Sequence, residues 1–315
     1  MMQLIRQKTP LNLNLRASSK QPVQLVLALA GVAALFLLSS CLPKKQNISP
    51  RLKVVSSMPV IYDWTRNIID ENTNTTIYLS LIVKNGLNYH NYTPSDPEQT
   101  SVKEADLFIY TGGTSEQWAK QLAPENSLCL LELINSADEH IILSPETAIQ
   151  VCSVICQKLC LLDPANSQTY QKNCSNYLAQ LELLDNAFTL TSQKAAQTTF
   201  IICDRFPLKN IFEQYGLNYI CAYDECPSAA VGNKKTDKDL ALKLGKKIDE
   251  LSASAVYVME DSNKKLAKSA IGYSKNPKCD TVALDSMEST TLSQLFSGKN
   301  YINTMRSNLS QLRTK

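Results

Sequence analysis

Histidine is the scarcest of the reactive residues in this 315-residue chain, which contains only His90 and His140. Glycine is also rare, with nine residues, and neither a G-x-x-x-x-G-K nor a G-x-G-x-x-G pattern occurs. Both patterns form loops that bind phosphate groups through backbone amides, so their absence excludes the common nucleotide-binding sites. We therefore do not expect this chain to bind ATP itself.

The body of the protein has no excess of charge of either sign. The formal net charge is +3, but residues 1–40 hold four cationic residues and no acidic one. The rest of the chain has 28 Lys and Arg residues against 29 Asp and Glu residues. Nucleic-acid-binding domains usually carry a basic patch, so this balance gives no support for a nucleic-acid partner. With 44% hydrophobic residues, the chain is long enough for two domains with cores of their own.

The first forty residues have the pattern of an export signal. A basic start leads into Leu25–Leu38, fourteen residues without a polar side chain. As a helix this run would extend ~21 Å, which is shorter than the ~30 Å hydrocarbon core of a bilayer. Leu38-Ser39-Ser40-Cys41 follows, and this order resembles the lipobox of bacterial lipoproteins, in which the cysteine is lipidated. We predict a signal peptide over 1–40, lipidation of Cys41 and a tether over 41–50; the alternative is a signal anchor with an incidental cysteine.

Short strands and short helices alternate from residue 51 onward. This alternation indicates βαβ units and parallel sheets. The middle of the chain differs, because residues 166–195 have almost no helix breaker and space their large apolar side chains three or four positions apart. We predict an α/β fold in which two Rossmann-like βα lobes with parallel sheets, over 51–165 and 196–315, are joined by one long rigid linking helix over 166–195. Residues 129–133 are expected to form a strand of the first lobe.

Four candidate metal ligands each follow a predicted strand, where parallel α/β folds bind ligands. They are His90 and His140 in the first half and Cys203 and Asp285 in the second. Two neutral imidazoles, one thiolate and one carboxylate would balance a divalent cation and supply the ligand types that zinc favours. From the residues alone, each also has an ordinary structural explanation: a structural histidine, a buried strand cysteine or a helix-capping aspartate.

Several short motifs occur in a fixed order through the chain. They are the H-x-Y-x-P-[TS] loop from His90 to Ser95, the A-D-L strand from Ala105, the E-x-W pair Glu116 and Trp118, the D-x-H segment ending at His140, the D-x-F segment from Asp204, the E-x-P-S segment from Glu225 and the L-D pair ending at Asp285. This ordered set resembles the metal-binding lipoproteins of bacterial zinc and manganese ABC importers, the cluster A-I solute-binding family.

The resemblance implies that His90, His140, Cys203 and Asp285 bind a divalent metal between the lobes, with Glu225 and Glu260 beside them. It implies a monomeric binding protein, and not an enzyme, that is anchored by lipid outside the bacterial cell membrane. Its partner would be an ABC importer permease with a separate ATPase. Because a thiolate suits zinc and is a poor ligand for manganese, Zn²⁺ is favoured over Mn²⁺, with Fe²⁺ also open.

The sequence departs from the family pattern at its ligands. Tyr89 and Glu139 stand where the family has proline before its first and second ligands, and Cys203 stands where it has His or Glu. Two other functions therefore stay open. One is a zinc hydrolase with an open coordination position, for which Glu260 is the obvious carboxylate base. The other is a surface adhesin or structural lipoprotein with a degenerate site.

Overall fold

The structure is a computed structural model that describes residues 52–70, 76–84, 86, 90, 92–223 and 234–312. The predicted signal peptide and tether lie outside the described residues, together with Cys41 and Glu225. The domain limits proposed for that N-terminal part stay predictions.

The first lobe contains four strands, β1 (Leu52–Ser56), β2 (Ile77–Leu81), β3 (Leu107–Tyr110) and β4 (Ser127–Cys129). They form a parallel sheet in the order β2-β1-β3-β4. Its helices are α1 (Pro59–Ile69), α2 (Asp96–Lys103), α3 (Gln117–Leu122) and α4 (Leu130–Leu133). Every residue of β3 is buried, as expected for a parallel strand that is covered on both faces.

The strand predicted over 129–133 is wrong for most of its length. Strand β4 ends at Cys129, and the four residues after it form the helical turn α4. The Leu131 amide donates a hydrogen bond to the Thr111 carbonyl at 3.0 Å, and both Leu130 and Leu131 are buried. A short apolar run carries no periodicity that separates a buried strand from a buried helical turn, so the sequence pattern did not distinguish them.

Two long helices, α5 (Pro145–Leu162) and α6 (Ser167–Lys194), separate the two sheets along the chain. Pro145 in the first turn of α5 suits a helix start, and the Ser144 hydroxyl accepts a hydrogen bond from the Thr147 amide. Helix α6 has 28 residues and is therefore ~42 Å long. Its bounds confirm the long linking helix predicted from the breaker-poor run.

Among the described residues, no single helix has the length and apolar composition needed to cross a membrane. One bent pair, α5 followed by Pro164–Lys194 at an angle of 119°, meets the same criteria of length and composition.

The second lobe repeats the architecture of the first. Its strands are β5 (Thr199–Ile202), β6 (Asn218–Cys221), β7 (Ala255–Met259) and β8 (Asp280–Leu284). They are parallel and lie in the order β6-β5-β7-β8, which is the order of the first sheet. Its helices are α7 (Lys209–Gln214), α8 (Lys234–Glu250), α9 (Lys265–Tyr273), α10 (Leu292–Phe296) and α11 (Tyr301–Gln311). The predicted pair of parallel α/β lobes is confirmed.

The end of the chain returns to the first lobe through a buried carboxylate. Asp63, on α1, accepts a hydrogen bond from the Tyr301 amide at 2.8 Å and pairs with Arg66 at 2.8 Å. The Arg66 guanidinium also donates to the carbonyls of Leu295 and Lys299. The Tyr301 hydroxyl donates to the Leu143 carbonyl at 2.7 Å. The start of α11 is thereby fixed to two elements of the first lobe.

We predict that Asp63→Ala lowers the free energy of unfolding by about 3 kcal/mol, since it leaves the Tyr301 amide and the Arg66 guanidinium without their buried acceptor. Urea unfolding of the purified protein measures the change. Glu182→Ala, at an exposed position of α6, is the matched control and should change stability by less than ~0.5 kcal/mol. Equal stability of the two variants would show that the Asp63 contacts do not hold the C-terminal segment.

Candidate metal centre

The two histidines of the chain lie next to each other at the carboxyl ends of strands in the first lobe. His90 is in the loop after β2, and His140 is in a 3₁₀ turn, Glu139–Leu143, that follows α4. Their ring centroids are 5.5 Å apart, with an angle of 44° between the ring planes. The parallel topology brings the two loops to the same edge of the sheet, although 50 positions separate them in the sequence.

Each imidazole is oriented by a hydrogen bond at its Nδ1 atom. His90 Nδ1 lies 2.7 Å from the Ser115 hydroxyl, and His140 Nδ1 lies 3.3 Å from a carboxylate oxygen of Asp138. The same Asp138 oxygen accepts the His140 amide at 3.0 Å. The hydrogen bond from His140 lowers the pKa of Asp138, which therefore stays ionised. A ring nitrogen held in this way leaves Nε2 as the atom that can bind a metal.

Glu139 connects the loops that carry the two histidines. Its carboxylate accepts hydrogen bonds from the Thr114 hydroxyl and the Ser115 amide, both at 2.9 Å. Burial acts to raise the pKa of Glu139, but the hydrogen bonds from Ser115 and Thr114 hold it below its ordinary value. Gly113 has φ +82°, and a Cβ atom there would overlap the Glu139 carboxylate. Glu139 therefore fixes Ser115, and through Ser115 the ring of His90.

Glu288 completes a group of three donors with the histidines. One ligand atom from each of His90, His140 and Glu288 lies within 4.8 Å of the other two. The Glu288 side chain is 5% exposed, and its Oε1 lies 3.5 Å from His140 Nε2. Within the described residues Oε1 has no hydrogen-bond partner, while Oε2 accepts one from Arg205. A buried carboxylate oxygen directed at two imidazoles is the arrangement that a divalent cation would satisfy.

Sequence reasoning missed Glu288 because the resemblance directed attention to Asp285, three positions earlier. Both residues belong to the same loop after β8, which contains two acidic side chains within four positions. The sequence therefore indicated that this acidic loop contributes a ligand, but it did not indicate which of the two acidic residues does so.

Asp285 lies in this loop but is engaged elsewhere. Its Oδ2 pairs with Lys299 Nζ at 2.6 Å, and its Oδ1 accepts the Met287 amide at 2.8 Å. The side chain of Asn308 makes two hydrogen bonds to the backbone of Asp285. Asn308 Nδ2 donates to the Asp285 carbonyl, and Asn308 Oδ1 accepts from the Asp285 amide, both at 2.8 Å. The carboxylate of Asp285 thus ties the loop to the segment before α11.

Glu260 supports the loop from the adjacent strand end. Its Oε2 accepts the Ser286 amide at 3.0 Å, and its Oε1 accepts the hydroxyls of Ser286 and Ser289 at 2.9 and 3.1 Å. Burial is the main cause that raises the pKa of Glu260, with the charge of Asp285 adding to it. Glu260 therefore holds both sides of Glu288 in place without being one of the three clustered donors.

Cys203 lies in an apolar layer that covers one face of the second sheet, opposite the face that contacts the main core. Its side chain is 2% exposed and packs in a cluster with Leu244, Val258 and Cys279. Phe200 and Ile202 point to the opposite face, where the main core lies. Burial raises the pKa of the Cys203 thiol to about 12, with further contributions from Cys279 and Asp204. Of the four residues chosen from the sequence, the structure brings together His90 and His140, while Cys203 and Asp285 lie outside the group.

We predict that Cys203 reacts very slowly with iodoacetamide in the folded, metal-free protein at pH 8. A thiol with a pKa of about 12 is ionised in only about one molecule in ten thousand at that pH, and the thiolate is the reactive form. Peptide mass spectrometry should find the partly exposed Cys160 alkylated first. Both residues should react readily in urea; rapid folded-state labelling of Cys203 would contradict the packing described for this strand end.

Comparisons with known proteins give consistent matches over the described part of the chain. The family model described as zinc-uptake complex component A, periplasmic (ZnuA), matches residues 54–315. The zinc-binding lipoprotein AdcA of Streptococcus pneumoniae is 24% identical over 314 residues, which cover 91% of this chain and 60% of the relative. The high-affinity zinc uptake system protein ZnuA of Bacillus subtilis is 24% identical over 322 residues, which cover 90% of this chain and 95% of the relative.

Solved structures share the fold. The laminin-binding protein Lmb of Streptococcus agalactiae, described as a bifunctional protein with adhesin and metal transporting activity, matches with a TM-score of 0.68 at 20% identity. The match covers 83% of this chain and all of that one. At this identity the likeness shows the two-lobed fold alone. The chain spans about 60% of the length of the streptococcal AdcA relative and nearly all of the Bacillus one.

Proposed function

The chain belongs to the family of the periplasmic component A of zinc-uptake complexes, and on this premise we propose that it captures a zinc ion between its two lobes. In this proposal the ion is then delivered to the permease of an ABC importer with a separate ATPase. The family's description is that of an uptake component and the relative AdcA is named zinc-binding, in agreement with the expectation from the sequence that the chain is not an enzyme.

The observation that carries the proposal is the group formed by His90, His140 and Glu288. The histidines come from the first lobe and the glutamate from the second, so a cation held by all three would lie between the lobes. The Oε1 atom of Glu288 supports this, because it is buried, lies 3.5 Å from His140 Nε2 and has no hydrogen-bond partner within the described residues. A bound cation would stabilise a carboxylate oxygen in this position.

The donor set favours zinc over manganese. Two imidazole nitrogens and one carboxylate oxygen are typical zinc ligands, whereas manganese prefers a shell dominated by carboxylate and water oxygens. This preference no longer depends on a thiolate. We propose that Cys203 stabilises the core of the second lobe and that Asp285 positions the loop that carries Glu288.

Glu288→Gln should weaken zinc binding at least ~100-fold, since the variant removes the anionic donor from the group. Isothermal titration of the metal-free protein with zinc and with manganese measures both affinities. Cys203→Ser should leave the zinc affinity within a factor of about three, and Asp285→Asn should weaken it less than Glu288→Gln does. Glu182→Gln, at an exposed position, is the matched charge control.

The opposite result would support the ligands predicted from the sequence, which include Cys203. If Cys203→Ser abolishes zinc binding and Glu288→Gln leaves it intact, the thiolate is a ligand. In that case the closure of the site would need a rearrangement of the end of β5, because the thiol faces the other side of the sheet.

A hydrolase is not the function that the geometry favours. The candidate base of a hydrolase is Glu260, and both of its carboxylate oxygens accept hydrogen bonds from Ser286 or Ser289. The carboxylate of Glu260 is therefore engaged by the loop after β8 and is not directed at a water molecule beside the metal, as a general base would be. The similarity to the laminin-binding protein shows the fold alone and gives no separate support for an adhesin.

We also propose that the protein is a lipoprotein held at the outer face of the bacterial cell membrane through Cys41. The support is the sequence order of basic residues, apolar run and Leu38-Ser39-Ser40-Cys41. The streptococcal relative AdcA is named a lipoprotein. A tether of this kind would keep the metal-binding lobes next to a permease in the same membrane.

Cys41→Ala should leave the chain unlipidated and unprocessed in its native host, because the acceptor sulfur is missing. Metabolic labelling with a fatty acid and the gel mobility of the chain measure the two effects. Cys160→Ala is the control that removes a cysteine without touching the signal. Continued fatty-acid labelling of the Cys41 variant would refute the lipid anchor and would leave the metal site unaffected.

A further inference from the structure

Arg205 brings a positive charge into contact with Glu288 of the candidate metal centre. Its Nη1 donates to Glu288 Oε2, and its Nη2 donates to both carboxylate oxygens of Asp261 at 2.9 Å. The Arg205 side chain is only 14% exposed. A positive charge at a site for a divalent cation is unfavourable, so the position of this guanidinium calls for an explanation.

The backbone of Arg205 is fixed to the second sheet. Oδ1 of Asp204 accepts the Arg205 amide at 2.8 Å, and Oδ2 accepts the Met259 amide from the end of β7 at 3.2 Å. Asp261, two residues after Met259, then holds the far side of the guanidinium. Arg205 is thus positioned by the second lobe before any contact with a metal is made, and its charge is offset by Asp261.

The consequence for Glu288 is that its two carboxylate oxygens are not equivalent. Oε2 accepts a charge-assisted hydrogen bond from Arg205, while Oε1 is directed at His140 and has no hydrogen-bond partner within the described residues. A carboxylate that is free at both oxygens can bind a metal through both. A carboxylate held at one oxygen by a guanidinium offers the metal a single oxygen.

We propose that Arg205 is the specificity-determining residue of this site: it restricts Glu288 to one-oxygen coordination and thereby discriminates against metals that need an oxygen-rich shell. This inference rests on the proposed zinc-binding function. Zinc accepts few ligands and a nitrogen-rich set, so it loses little when Glu288 binds through one oxygen. Manganese prefers six ligands that are mainly oxygen and loses more.

The test uses the metal-free protein with zinc, manganese and cobalt as probes. Arg205→Met removes the guanidinium and keeps a long apolar stem, so Glu288 becomes free to bind through both oxygens. The ratio of the manganese Kd to the zinc Kd should fall about tenfold, within the range by which partners of metal ligands tune affinity. Visible absorption of bound Co²⁺ should weaken, because four-coordinate cobalt absorbs more strongly than higher-coordinate cobalt.

Two further variants separate this role from a general structural one. Arg205→Lys keeps a charged donor and should retain most of the discrimination. In a Glu288→Gln background, Arg205→Met should change the ratio less than twofold, because the carboxylate through which Arg205 acts is gone. Lys120→Met, which removes an exposed cation paired with Glu132 away from the centre, should leave the ratio and the cobalt spectrum unchanged.

The outcomes distinguish the two levels of the proposal. If wild type binds zinc and Arg205→Met leaves both the ratio and the cobalt spectrum unchanged, Arg205 does not determine specificity and the zinc-binding function stands. If Arg205→Met fails to fold, Arg205→Gln takes its place. A ratio of manganese Kd to zinc Kd that is unchanged in Arg205→Lys and lowered in Arg205→Gln supports the role of Arg205. Equal ratios in wild type, Arg205→Lys and Arg205→Gln overturn it. If wild type binds no zinc, the proposed function fails, and this inference fails with it.

Discussion

The arrangement of the two lobes depends on the buried contact between Asp63 and the start of helix α11. Donors from separate sheets can form one site only if the distance between the sheets is fixed. The Asp63 carboxylate holds the Tyr301 amide, and the Tyr301 hydroxyl holds the Leu143 carbonyl at the end of the turn that carries His140. Lys299, two residues before Tyr301, pairs with Asp285 in the loop that carries Glu288. One short segment therefore links the supports of both halves of the centre.

Around the centre, the acidic residues divide into those that hold loops and the one that faces the histidines. Glu139 holds the segment of Ser115, Glu260 holds the serines on either side of Glu288, and Asp138 orients His140. With their hydrogen bonds already made, these carboxylates keep the donor atoms in place before a metal arrives. Preorganisation of this kind lowers the ordering cost of binding. Together with the long helix α6, it would favour small loop shifts over a wide hinge motion if the protein binds and releases a metal as proposed.

The pattern of residues that follow parallel strands predicted part of the candidate site. It selected loops whose side chains do meet, because the carboxyl ends of parallel strands share one edge of a sheet. It could not tell which face of β5 the thiol of Cys203 occupies, since both faces of a buried parallel strand are apolar and the alternation has no polar side to mark it. Nor could it choose between Asp285 and Glu288, because that choice depends on which carboxylate the fold directs at the histidines. Asp285 pairs with Lys299, while Glu288 Oε1 lies 3.5 Å from His140 Nε2.

The sequence by itself determined the alternation of strands and helices, the long linking helix and the loops that contain the histidines, because periodicity, helix breakers and strand ends are local properties. The ordered motifs also indicated the family. Only the tertiary structure decided that His90 and His140 are neighbours, that Glu288 joins them and that Cys203 lies in the opposite layer. It also revealed the pairing of Arg205 with Glu288 across 83 positions. Most of these features depend on which strand ends and loops the order of each parallel sheet brings together, and the grouping of Glu288 with the histidines depends on how the two lobes meet. Both are long-range constraints that no local pattern records.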